Sequence, residues 1–154
     1  MTLQSLCADG HGRVILEFSD GSRERVSPTT VADLGLYQGM ELTGEAYASL
    51  RASLRTAAAR NRAARIAGAS AVSERELIRR MVQKGETEED AVSAAAWLRE
   101  LGALDDRALA GQVVRSALGK GYGAGRIRQI LYQKGIPREY WEEALSDLPE
   151  DTAA

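Results

Sequence analysis

The chain has 154 residues, 44% of them hydrophobic and 27% charged, with a formal net charge of −2. That supports one packed domain, or one domain with a small appendage. The single cysteine, Cys7, excludes an internal disulfide and suits a reducing cytoplasm, and scarce aromatics beside abundant Ala and Leu favour helices over a β-sandwich.

The Met-Thr-Leu-Gln start shows no basic segment followed by an apolar run, so no signal peptide is expected. No stretch approaches the roughly 20 apolar residues of a membrane span, and the expected location is the cytoplasm. Leu3 to Ala8 reads as a strand. Arg13 to Phe18 alternates, with Val14, Leu16 and Phe18 on one face. Ser19-Asp20-Gly21-Ser22 is a hairpin turn, and Arg23 to Ser27 returns with Val26 inward. Ser27-Pro28 opens a short helix to about Leu36, because Ser caps free amides and Pro fits the first helical position. Met40 to Leu42 reads as another short strand.

From Ala46 the period becomes helical. Leu50, Leu54, Ala57, Ala58 and Ile66 share one side of a helix over 46–68. Ser73-x-x-Glu76 is a capping box, predicting a helix over 73–84 with Leu77, Ile78, Met81 and Val82 as its stripe. Thr87 caps a helix over 87–101 that buries Ala91, Val92, Ala95, Trp97, Leu98 and Leu101. Asp105-Asp106 opens one over 105–118, with Leu109, Val113, Val114, Ala117 and Leu118 inward. After a glycine-rich turn come helices over 124–134 and 137–148, the last with Tyr140, Trp141, Ala144, Leu145 and Leu148 as its stripe.

These helices repeat at an offset of 50: Leu77 with Ile127, Met81 with Leu131, Lys84 with Lys134, Gly85 with Gly135, Ala94 with Ala144. Stacked three-helix units share a core and present an extended surface. The expected architecture is mainly α: tandem three-helix repeats in a curved solenoid-like module, preceded by a small β-hairpin-containing element. The expected division is 1–45 for the β-rich appendage, 46–104 and 105–148 for the two repeats, and 149–154 for an acidic disordered tail.

Charge falls in blocks. Residues 46–73 carry five Arg and no acid, and residues 107–138 carry seven basic residues and no acid. Residues 85–106 carry seven acids and only Arg99. Basic tracts of this kind meet nucleic-acid phosphates or an acidic protein surface. No constellation for catalysis assembles. There is no Gly-Lys-Ser/Thr phosphate loop, and the Gly119 to Arg126 stretch reads as a turn between helices. Asp105-Asp106 reads as a cap rather than a metal site. No enzyme activity, cofactor or metal is expected.

Ser73-x-x-Glu76-Leu77 with Lys84-Gly85, then Gly102-x-Leu104-Asp105-Asp106, then Lys120-Gly121-Tyr122-Gly123-x-x-Arg126-Ile127-x-x-x-Leu131-x-x-Lys134-Gly135-Ile136 strongly resembles the RecX family. The resemblance covers roughly residues 46–148, and it is sharpest over 120–136. It implies a bacterial regulator of the RecA recombinase that binds RecA or its single-stranded-DNA filament and inhibits strand exchange, ATPase and co-protease activity, in DNA repair and SOS control. Three departures stand out. A third helical unit, general in the family, is not expected from these residues, Leu109 stands where the family usually has an aromatic, and Ser70-Ala71-Val72 stands where it tends to be basic.

The candidates for filament or DNA contact are Arg79, Arg80 and Lys84 from the first unit and Arg115, Lys120, Arg126, Arg128 and Lys134 from the second, with Tyr122 for stacking and Tyr132 either stacking or semi-buried. The expected state is a monomer. The rival reading is a helical-repeat nucleic-acid-binding protein without RecA targeting. A third is an N-terminal β-module that serves as a dimer or partner scaffold.

Overall fold

The computed structural model describes residues 1–146. The expected stripe position Leu148 and the acidic segment 149–154 lie outside the described residues. The chain divides into two compact units, Met1–Ala58 and Ala59–Ala154.

In the first unit, β1 (Leu3–Ala8), β2 (Val14–Phe18) and β3 (Arg23–Val26) form an antiparallel sheet in the order β1-β2-β3. The β2–β3 hairpin turns where Asp-Gly predicts it. Gly21 takes φ 85°, and the Asp20 carboxylate accepts the Ser22 amide at 2.9 Å. Ser27 caps α1 (Pro28–Leu34) by accepting the Thr30 amide. Leu3, Leu16 and Phe18 are fully buried with Val26, Leu36, Leu42, Leu50 and Leu54, whereas Val14 is only half-buried. Met40 to Leu42 does not form the expected strand. Gly39 turns at φ 88°, leaving one bridge, Thr2 to Glu41, before Thr43 accepts the Ala46 amide at the start of α2 (Gly44–Ala69).

The second unit holds α2 from Ala59 onward, then α3 (Glu74–Gln83), α4 (Glu88–Glu100), α5 (Asp106–Gly119), α6 (Ala124–Gln133), a 3₁₀ turn (Arg138–Tyr140) and α7 (Trp141–Leu145). It has two apolar clusters. One joins Ala59 and Ala63 to Leu77, Met81, Leu98 and the alanines of α4. The other joins α5, α6 and α7 around Val114, Ile127, Leu131 and Trp141. Trp141 can be buried because its indole N–H donates to the Ile136 carbonyl at 2.9 Å.

The offset of 50 holds in three dimensions. Leu77 and Ile127 are both fully buried, as are Met81 and Leu131. Gly85 and Gly135 both take positive φ, at 103° and 74°. Each continues into the same reverse turn, with Glu86 N–H bonded to the Met81 carbonyl and Ile136 N–H to the Leu131 carbonyl. This is the glycine-ended helix stop that satisfies otherwise orphaned carbonyls.

Some side chains face differently from expectation. On α2 the buried alanines are Ala59 and Ala63, not Ala57 and Ala58, because that half of the helix packs on α3 and α4 rather than continuing the Leu50–Leu54 stripe. Val82, Val92 and Leu101 are exposed, Leu101 by 63%. A short helix in a three-helix bundle buries a single narrow stripe, and Leu101 lies past the last turn that reaches it. Pro137 precedes a 3₁₀ turn instead of opening an α-helix directly.

Candidate functional site

Two hydrogen bonds and one close backbone approach join the two bundles of the second unit. Ser73 accepts the Glu76 amide as the cap of α3 and donates its own hydroxyl to the Lys134 carbonyl at the end of α6. Asp106, in the first turn of α5, accepts the Glu74 amide at 3.0 Å. Gly135 passes so close to α3 that an added Cβ would lie 3.1 Å from the Ser73 hydroxyl. The start of α3 is therefore capped partly by residues of the other bundle. Burial pushes the Asp106 carboxyl above its ordinary range, against the lowering effect of the Glu74 amide.

Three depressions adjoin one another through shared lining residues, Arg80 between the first and second and Lys134 between the second and third. The first lies between α2 and α3, lined by Arg62, Arg65, Arg80 and Lys84. The second runs over the cap of α3 past Arg79, Arg80 and Lys134. The third follows α5 and α6 past Lys120, Tyr122 and Lys134. Seven cations thus line a continuous surface, and Glu76 is the acid among its lining residues. This places five of the sequence-derived candidates (Arg79, Arg80, Lys84, Lys120 and Lys134) together with Tyr122.

Glu76 does not complete the expected capping box. Its carboxylate instead takes Arg79 and, at 3.1 Å, Arg80, whose guanidinium also donates to Ser70 at 3.2 Å. The hydrogen bonds from Arg79 and then Arg80 hold the Glu76 carboxyl down at about 2. Arg79 and Arg80 are accordingly oriented by Glu76 in the lining of the second depression.

The remaining candidates separate. The Arg126 guanidinium lies 3.7 Å from the centre of the Tyr122 ring, a close cation–π stack at the end of the third depression. Arg115 is exposed on α5, folded back over Gly111. Arg128 pairs with Glu142 at 3.0 Å, and Arg107 with Glu143 at 3.2 Å. Part of the basic tract at 107–138 is thus balanced by the acids of α7. Arg60 stacks over Trp97 at 4.9 Å.

Sequence reasoning left Arg62 and Arg65 out of the candidate set. The acid-free tract over 46–73 contained the signal, but the face of α2 that meets α3 was not visible in its period. Among the described residues no group of three or more His, Cys, Asp or Glu could hold a metal ion. On the other side of α3 a second cleft, of about 570 Å³, includes Ile78, Val92, Tyr132 and Trp141. Tyr132, 67% exposed, turns into that cleft, away from the cationic side.

Residues 105–145 match the family model described as RecX, second three-helix domain. The regulatory protein RecX of Escherichia coli (strain SMS-3-5 / SECEC) is 40% identical over 114 residues, which cover 66% of this chain and 69% of that protein. This chain belongs to the RecX family. The regulatory protein RecX of Shigella dysenteriae serotype 1 (strain Sd197) is 40% identical over 104 residues, covering 61% of this chain and 63% of that one. The chain therefore spans about two thirds of the length of the RecX relatives it matches. A crystal structure of regulatory protein RecX aligns over 99% of this chain and 76% of its own, with a TM-score of 0.77 at 23% identity. That likeness shows the shared fold, a mainly helical chain behind a small antiparallel sheet. No helix among the described residues is long and apolar enough to cross a membrane.

Proposed function

We infer that this chain is a non-enzymatic cytoplasmic regulator that binds RecA, or the RecA filament on single-stranded DNA, and lowers its recombinase, ATPase and co-protease activity. The observation that supports this most directly is the continuous cationic surface along α3 and α6 in a member of the RecX family. Such a surface is suited to the phosphate backbone that runs through a nucleoprotein filament. The three-helix bundles at 46–104 and 105–148 act as the binding modules, as a monomer. No bond need be made or broken. A ligand that binds one filament state better than another shifts the balance by its difference in affinity.

The test is the DNA-dependent ATPase of the same organism's RecA, titrated with this protein and with an Arg126→Glu/Lys134→Glu variant. The wild type should lower the rate and the variant should lower it much less. Equal, null effects of both proteins would refute the reading.

A second reading is direct nucleic-acid binding without RecA, favoured by the Arg126–Tyr122 stack, whose exposed guanidinium face suits an unpaired base. Tight binding to bare single strands with a steep salt slope, and an unchanged RecA ATPase, would establish it instead.

A further inference from the structure

The depression between α2 and α3 differs from the rest of the cationic surface. It is a concave cleft of about 500 Å³, walled by Ile66 and Ala69, into which Arg62, Arg65, Arg80 and Lys84 converge from two helices with the Ser70 hydroxyl. No carboxylate lines it. Two lie just outside: Glu86 holds Arg62 at 3.0 Å, and Glu76 holds Arg80 at 3.1 Å. Arg62 is also fixed by donating to the Lys84 carbonyl at 3.2 Å. Among the described residues neither Arg65 nor Lys84 has an ion-pair partner. Two arginines are therefore oriented in advance, and two positive charges in the cleft stay uncompensated.

Clustered cations repel one another and raise the local potential, and a multivalent anion relieves both effects. Arginine forks match phosphate oxygens in pairs, while a lysine supplies a movable point charge. The cleft exceeds the space one phosphate needs.

We propose that the Arg62–Arg65–Arg80–Lys84 cleft is a binding site for linked phosphate groups, at least two at a time. Neighbouring phosphates of a nucleic-acid backbone and the chain of a free polyphosphate share this chemistry. The proposal needs only these four side chains and stands whether or not RecA is the partner.

Calorimetric titration of the full chain with sodium tripolyphosphate tests it. The wild type should bind tripolyphosphate at least about tenfold more tightly than sulfate. Arg65→Glu/Lys84→Glu, which alters two exposed side chains, should lose about tenfold or more. Arg23→Glu, a charge reversal on a residue outside the lining of the cleft, should bind as the wild type does. Equal binding by all three proteins, or no preference over sulfate, would overturn the proposal. Circular dichroism of each variant checks the fold, and Arg65→Gln/Lys84→Gln, which removes charge without adding any, should show an intermediate loss. A competition arm with a short oligothymidylate identifies the source. Displacement of bound tripolyphosphate assigns the site to backbone phosphates, and non-displacement assigns it to a free polyphosphate. Either result supports the site itself.

Discussion

Ser73 and Lys134 lie 61 residues apart in the chain and are joined by a hydrogen bond from the Ser73 hydroxyl to the Lys134 carbonyl. The same hydroxyl oxygen accepts the Glu76 amide. One buried oxygen therefore caps a helix of the first bundle and terminates a helix of the second. Ser73→Ala should cost about 1–3 kcal/mol, more than an exposed cap, because it also leaves a carbonyl unpaired. Thr87→Ala, which removes an exposed cap with no such second bond, provides the comparison in chemical denaturation.

Asp106 offers a test with opposite signs. Asp106→Ala removes the acceptor for the Glu74 amide and should cost about 1 kcal/mol. Asp106→Asn keeps an acceptor and removes a charge that burial disfavours, so it should match or exceed wild-type stability near neutral pH. The folded carboxyl titrates above its ordinary value, so its ionised form weighs against folding. That penalty is absent below the unfolded value and develops as pH rises through the folded one. The gap between Asp106→Asn and wild type in thermal midpoints should therefore close on acidification.

Glu76 restrains two cations. Glu76→Gln removes a negative charge from the lining of the cationic surface, and should tighten single-stranded DNA binding and steepen its salt dependence. The Glu76 carboxyl sits at about 2, below the ordinary 4.5, so its ion pairs contribute fully above that ordinary value and are lost as pH falls toward 2. The variant should lack this acid-sensitive part of the stability. Unchanged affinity and salt slope in fluorescence anisotropy would contradict the assignment.

The paired glycines separate a local effect from a joint effect. Gly85 and Gly135 both need positive φ, so Ala strains either one by about 1 kcal/mol. Only at Gly135 would the new Cβ meet a neighbour, at 3.1 Å from the Ser73 hydroxyl. Gly135→Ala should therefore be the more destabilising of the two, as read in thermal midpoints.

What was legible in the sequence followed the range of the interactions. The hairpin at Asp20-Gly21 and the caps at Ser27, Ser73 and Thr87 are local events, signalled by the residues that perform them. The repeat was legible because Leu77, Met81, Ile127 and Leu131 recur at one spacing and all reach the core. The joint was not legible. Nothing near Asp106 announces that its carboxylate caps α3, since the partner is 32 residues away. Glu76 was misread because two sets of donors compete for one carboxylate, the amide at its own helix start and the arginines one turn on, and sequence alone cannot weigh them. Arg62 and Arg65 were missed because Ala59 and Ala63, small residues with little weight in an apolar pattern, fix which side of α2 meets α3.

The joint between the bundles leaves a record in amide protons. The Glu74 and Glu76 amides are held by side-chain oxygens, of Asp106 from the neighbouring bundle and of Ser73, which itself bonds that bundle. The Leu131 amide lies within the ladder of α6. Deuterium should enter at Glu74 whenever the bundles part, and at Leu131 only when α6 itself opens. A ligand that spans the cationic surface across both bundles should slow exchange at Glu74 first, and so reveal its grip without any contact to that residue.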